Sequence, residues 1–195
     1  MLQGEVVLEL RSQGSSTFLW AMRPERILLP LDVERCPLEA FEVVNGFARE
    51  SPMTVILLHV VELNIAAPGG RVYEELGKEA EFYLERLAEK HMDRMATTMV
   101  HVRTGRPADE ILAEADAERV DCIILPTFGP SFWRRVTGIW KADRNPVLST
   151  LVQRLVSRAR CGVFLVQVRA SFDCEMAWGR PKEEREAEKA VSSHQ

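Results

Sequence analysis

The sequence has no cysteine pair at C-x-x-C spacing; its four cysteines are Cys36, Cys122, Cys161 and Cys174. A zinc knuckle and a thioredoxin-type dithiol are therefore excluded. Cys122 and Cys161 lie inside apolar runs, where cysteine reads as a small buried hydrophobe. No basic start followed by an apolar core occupies the first twenty residues, so no secretory leader is expected. Together these features point to a reducing, cytoplasmic setting. Long apolar runs are also missing. The stretch Val55–Val61 is interrupted by His59 and is too short to span a bilayer, so no membrane partner is expected. Positive charge is not in excess: 25 Lys and Arg stand against 29 Asp and Glu, a net charge of −4. A globally basic nucleic-acid binder is thereby excluded, although a local basic patch is not. There is no G-x-S-x-G elbow and no P-loop G-K-[ST]. His91 and His101 have no ligand partner at metal spacing, so no metal site is expected. With 11 glycines, 10 prolines and 46% hydrophobic residues, the chain is neither fibrous nor disordered. Its 195 residues suffice for a full core without a covalent staple.

What is present is a regular alternation. Short, nearly continuous apolar runs occur at Ile27–Leu31, Val55–Val61, Cys122–Leu125 and Val163–Val166, with Met99–Val102 a weaker fifth. Runs of this length, apolar at successive positions, suit strands buried on both faces. Between them lie helical stripes: Leu38, Phe41, Val44, Phe47 and Ala48; Val72, Leu76, Ala80, Tyr83 and Leu87; Ala108, Ile111, Leu112 and Ala115. The clearest stripe is Leu148, Leu151, Val152, Leu155, Val156 and Ala159. Pro37 and Pro107 stand where helices start, each followed by acids in the first turn.

The order β-α-β-α-β-α-β-α-β predicts a parallel sheet covered on both faces. Ligands in such sheets bind beyond the carboxyl ends of the strands, where strand order reverses. The segments after Leu29, Leu58 and Leu125 are therefore the ones that matter. Three regions fall outside the alternation: an extension over 1–22, a long loop over 130–148, and a charged tail over 170–195. The extension contains Glu5–Leu10, which alternates like an edge strand. The domain proper is assigned to 23–169. The acids from Glu74 to Glu89 interleave with Lys78, Arg86 and Lys90 and read as a solvated helix face.

Several segments resemble the universal stress protein family. Ile27-Leu28-Leu29-Pro30-Leu31-Asp32 is similar to its I-L-V-P-V-D, and Leu57-Leu58-His59-Val60 to its L-L-H-V. Gly105-Arg106-Pro107 followed by Ile111 resembles G-x-P-x-x-x-I, and Val120–Leu125 resembles A-D-L-I-V-M. Leu155–Val163 is similar to V-L-R-H-A-P-C-P-V. The resemblance implies a flavodoxin-like, Rossmann-like three-layer fold with five parallel strands in the order 3-2-1-4-5. It also implies a stress-response role and a homodimer through the last strand, here Val163–Val168. In the nucleotide-binding branch of the family, ATP sits at the switch point. The residues facing the adenosine would be Asp32 and Val60, and a G-x-x-G-x9-G-[ST] motif would wrap the phosphates. A structural role for Asp32, capping the loop after the first strand, stays open beside this. His59, in the buried strand, reads as a satisfied core histidine.

That glycine motif is broken here. Its first glycine position is Pro126, its second is Gly129, and its final pair falls on Ser149 and Thr150, with nineteen residues between Gly129 and Ser149 instead of nine. Proline removes an N–H donor, and serine adds a Cβ where glycine lets backbone approach an anion. A charge-assisted hydrogen bond contributes about 1.5–3 kcal/mol. Losing two such donors costs roughly 3–6 kcal/mol, or two to four decades of affinity. The chain is thus expected to be a binding or regulatory module without tight ATP binding and without catalytic residues.

Two alternatives remain open. In the first, the chain binds ATP or AMP weakly, with weak ATPase activity. The inserted segment 131–144, with Arg134, Arg135, Lys141 and Arg144 against one acid, would then replace the phosphate cradle. In the second, the same segment binds a protein partner. Its apolar residues Phe132, Trp133, Val136, Ile139 and Trp140 also fit a lid or dimer cover. Two starts compete for the last helix, Asn145-Pro146 and the capping box Thr150-x-x-Gln153.

Overall fold

A computed structural model describes residues 7–10, 23–32, 37–62, 70–128 and 150–168. In chain order the elements are β1 (Val7–Leu10), β2 (Arg26–Pro30), α1 (Leu38–Glu50), β3 (Met53–Glu62), α2 (Gly70–His91), β4 (Ala96–Gly105), α3 (Pro107–Ala117), β5 (Cys122–Phe128), α4 (Thr150–Arg158) and β6 (Gly162–Val168).

The apolar runs form the strands. Ile27, Leu28 and Leu29 in β2 and Val55 to Leu58 in β3 have no accessible surface. Because side chains alternate across a strand, successive residues feed opposite faces. Ile27, Leu29, Val55, Leu57 and Ile124 pack with Phe41, Val44 and Phe47 of α1 and Tyr83, Leu84 and Leu87 of α2. Leu28, Ile56, Leu58, Ile123 and Leu125 pack on the other face with Ile111 and Ala115 of α3 and Val152 and Leu155 of α4. Each fully buried Leu or Ile contributes about 1.5–3 kcal/mol of transfer free energy, so the two seams hold three layers together.

All strand pairs are parallel, and the sheet order is β1-β6-β5-β2-β3-β4. Counting the five family strands β2, β3, β4, β5 and β6 as 1 to 5, this is the expected order 3-2-1-4-5. The sixth strand comes from the N-terminal extension. β1 runs parallel to β6 in the register Val7↔Val163 to Leu10↔Val166. The sequence reads Val163–Val168 as a dimer seam at the sheet edge. In the folded chain β6 is instead paired on both sides, with β5 and with β1, and β1 is the edge strand. The physical reason is that an apolar strand with unpaired N–H and C=O groups is a template for pairing, and the chain's own alternating N-terminal segment meets that need first.

Other elements differ from their sequence reading in extent. β4 covers ten residues, not four, because it pairs with the whole length of β3. β5 runs three residues past Leu125, through Pro126, Thr127 and Phe128, in register with Val166, Gln167 and Val168. In α2 the stripe is buried from Ala80 onward, whereas Val72 is exposed. Helix starts follow the prolines: Pro37 precedes α1, and Pro107 opens α3 with Asp109 and Glu110 in its first turn.

The end of α3 is set by a left-handed residue. Arg119 has φ of 51°. Its N–H donates to Asp116 O at 3.4 Å, and the Val120 N–H donates to Ala115 O at 3.1 Å. This is the paired hydrogen-bond closure of a Schellman motif, and Val120 and Ala115 both lie in the apolar seam behind it.

Candidate functional site

The topology puts the switch point between β2 and β5. From β2 the chain moves outward to β3 and β4 on one side, then returns to β5 and β6 on the other. The backbone just past β2 is held in place by β3. Leu31 N–H donates to Leu58 O at 2.8 Å, and His59 Nδ1 lies 3.0 Å from Leu31 O. A carbonyl only accepts, so Nδ1 carries the proton in this bond. His59 is buried, as its reading as a core histidine requires, and its ring anchors the segment that presents Asp32. Asp32 follows directly and is exposed.

Val60, near the carboxyl end of β3, is half-buried against the seam under α3 and α4. Thr150 is exposed and is the first described residue of α4, a helix that leads back to the start of β6. Asp32, Val60 and Thr150 therefore share the carboxyl end of the sheet. Gly129, Ser149, Arg134 and Arg135 lie outside the described residues, as do the segment 131–144 and the upstream start for the last helix.

At the same end, Pro126 does not open a turn. It remains in the ladder beside Val166, and the next residue, Thr127, uses its hydroxyl to donate to Val166 O at 3.2 Å. The backbone that would cradle a phosphate after a glycine is engaged with β6 for three further residues.

A second constellation lies on the flank formed by β4 and α3. His101 and Arg103 alternate along β4 and so face the same side. Glu114 of α3 meets both: His101 Nδ1 pairs with Glu114 Oε1, and Arg103 Nε with Glu114 Oε2. Glu114 is only 2% exposed. Arg103 also reaches Glu110 through Nη1 at 3.4 Å. Burial pulls the Arg103 guanidinium down, but the bonds and charges of Glu114 and Glu110 outweigh it and hold the pKa above the usual arginine value. Gly105 makes room for this arrangement, because a Cβ there would lie 2.8 Å from Glu110 Cγ.

Glu118, placed by the end of α3, pairs with Arg26 of β2 through Oε2, and Arg26 Nε donates to Glu118 O at 2.7 Å. Arg26 and Glu25 in turn donate their backbone N–H groups to Asp121 Oδ2 at 2.9 and 2.7 Å, clasping the starts of β2 and β5. Sequence spacing did not reveal this cluster, since His101 lies thirteen residues from Glu114 and on another element. The usable signal is the polar pair His101 and Arg103 on one face of β4, beside a β3 that is apolar on both faces over Val55–Leu58.

Fold and strand order together define a doubly wound α/β protein with its switch point between β2 and β5. Residues 24–167 match the Universal stress protein family, and the chain belongs to that family. Universal stress protein MJ0531 of Methanocaldococcus jannaschii is 25% identical over 152 residues, covering 73% of this chain and 82% of the relative. Among solved structures, hypothetical protein MJ0577 superposes with a TM-score of 0.59 at 22% identity, covering 77% of this chain and all of that one. Hypothetical protein PH0823 gives 0.54 at 26% identity, covering 75% of this chain and 96% of its own. Among the described residues no helix is long and apolar enough to cross a membrane.

Proposed function

We propose that this chain is a binding and regulatory module of the stress response whose site at the carboxyl ends of β2 and β5 takes adenine nucleotides only weakly. The observation that supports weak binding is the continuation of β5 through Phe128 with Pro126 in the ladder. Pro126 offers no N–H, and the Thr127 hydroxyl is spent on Val166 O. What remains for a nucleotide is Asp32 and Val60 toward the adenosine, with Gly129, Ser149 and Thr150 toward the phosphates. Arg134 and Arg135 of the inserted segment, with Lys141 and Arg144, would be the cations offered to a phosphate.

Calorimetric titration with MgATP and with AMP tests this reading. The expected dissociation constants are weaker than about 100 μM. A constant below about 10 μM would overturn the weak-binding reading and favour the alternative, in which Arg134 and Arg135 rebuild the cradle. If Asp32→Ala leaves a measured affinity unchanged, the adenosine position is wrong.

Self-association belongs to the same reading. The homodimer implied by the family resemblance would use the side of the sheet bounded by Val163–Val168. Because β1 lies there, a second copy meets β1, or meets β6 once β1 has moved aside.

A further inference from the structure

A buried carboxylate needs a partner for its charge as well as for its lone pairs. The flank of β4 and α3 collects three carboxylates, Glu110, Glu114 and Glu118, against two guanidinium groups, Arg26 and Arg103. With a neutral imidazole at His101, the cluster holds one negative charge more than its arginines balance. Ligand atoms of His101, Glu114 and Glu118 all lie within 4.8 Å of one another. One imidazole nitrogen with two carboxylate oxygens is a donor set that suits a borderline first-row dication, whereas Mg²⁺ and Ca²⁺ prefer oxygen alone.

We propose that His101, Glu114 and Glu118 form a binding site for a divalent transition ion of the Zn²⁺ class. The ion takes the place of the hydrogen bond between His101 Nδ1 and Glu114 Oε1, while Glu114 Oε2 keeps its bond from Arg103. Arg26 holds Glu118 in position from the other side. Zinc bonds of about 2.0–2.2 Å place ligand atoms roughly 3.3–3.5 Å apart, so the hydrogen-bonded His101 Nδ1 and Glu114 Oε1 part on binding while the Glu118 carboxylate closes in by about 1 Å. Glu118 supplies that movement, because it stands just past the end of α3 and its side chain is 27% exposed. The His101 ring, 29% exposed, leaves the remaining coordination position open to water. The site is separate from the switch point and does not depend on nucleotide.

The test uses the full chain, free of any tag and stripped with EDTA, titrated with Zn²⁺ and, for spectroscopy, with Co²⁺. The expected result is one ion per chain with a dissociation constant of about 10 μM or tighter, weakening as pH falls because a proton is displaced. His101→Ala and Glu118→Gln should each weaken binding by at least about tenfold, with circular dichroism unchanged. Co²⁺ should show ligand-field bands without a thiolate charge-transfer band, which separates this site from the cysteines. No saturable uptake, unchanged affinity in either variant, or a thiolate band would overturn the proposal and leave a salt-bridge cluster only.

Discussion

Replacing Glu114 tests whether the β4–α3 flank is held by its charges. The carboxylate is 2% exposed and meets His101 with one oxygen and Arg103 with the other. Glu114→Ala removes both bonds and leaves Arg103 with Glu110 alone, at 3.4 Å. Breaking a fully buried ion pair from one side costs about 3–5 kcal/mol. Arg103 is 34% exposed and can turn partly to water, so the expected loss is smaller, about 2–3 kcal/mol. For a chain of this size that is a fall in Tm of roughly 4–12 °C. Glu114→Gln keeps the volume and an acceptor for Arg103, and should cost only about 1 kcal/mol. Urea unfolding in EDTA measures both, free of any metal contribution. A double-mutant cycle with Arg103→Met should give a coupling of about 1–2 kcal/mol. A Glu114→Ala variant within about 0.5 kcal/mol of wild type would refute the reasoning, because the carboxylate would then be neutral in the balance.

Further expectations follow from single features. Burial, with smaller contributions from Cys161 and Asp121, pushes the Cys122 thiol up to about 12. The unfolded chain therefore loses this proton first. The linked stability is complete below about pH 9 and declines between about pH 9 and 12, by about 1.4 kcal/mol per unit, and Cys122→Ala should flatten that alkaline decline. At pH 8 the Cys122 thiolate fraction is on the order of 10⁻⁴, so peptide-resolved alkylation should find it unmodified until unfolding; rapid native labelling would contradict the burial argument. Arg119→Gly relieves a left-handed residue and should raise stability by about 0.5–1 kcal/mol in urea, whereas a loss would count against the cap geometry. Deleting residues 1–22 bares the outer edge of β6 and should raise the self-association seen in light scattering; an unchanged oligomeric state would remove that edge from any dimer seam.

The parts of the fold that were legible share one cause. A strand buried on both faces must be apolar at every position, so Ile27–Leu29, Val55–Leu58 and Ile123–Leu125 announce themselves without reference to any partner. A helix on such a sheet needs a stripe, which is why Phe41, Val44 and Phe47 or Ile111 and Ala115 could be read directly. What was not legible depends on a neighbour distant in sequence. Nothing within Val7–Leu10 says that it pairs with β6, because alternation fits any edge and the choice of partner is made by the unpaired side of Val163–Val166. The apolar run stops at Leu125, yet β5 passes on through Pro126, since proline forfeits one donor while Thr127 and Phe128 continue the register with Gln167 and Val168. Glu114 is the sharpest case. A glutamate beside a helical stripe normally marks the solvated face, and only the positions of His101 and Arg103 on the strand beneath make it an interior residue. The candidate nucleotide site divides along the same line. Asp32 and Val60 come from the resemblance, at the ends of β2 and β3 that the apolar runs mark. On the phosphate side only damage to a motif was legible, and Gly129, Ser149 and the segment 131–144 lie outside the described residues.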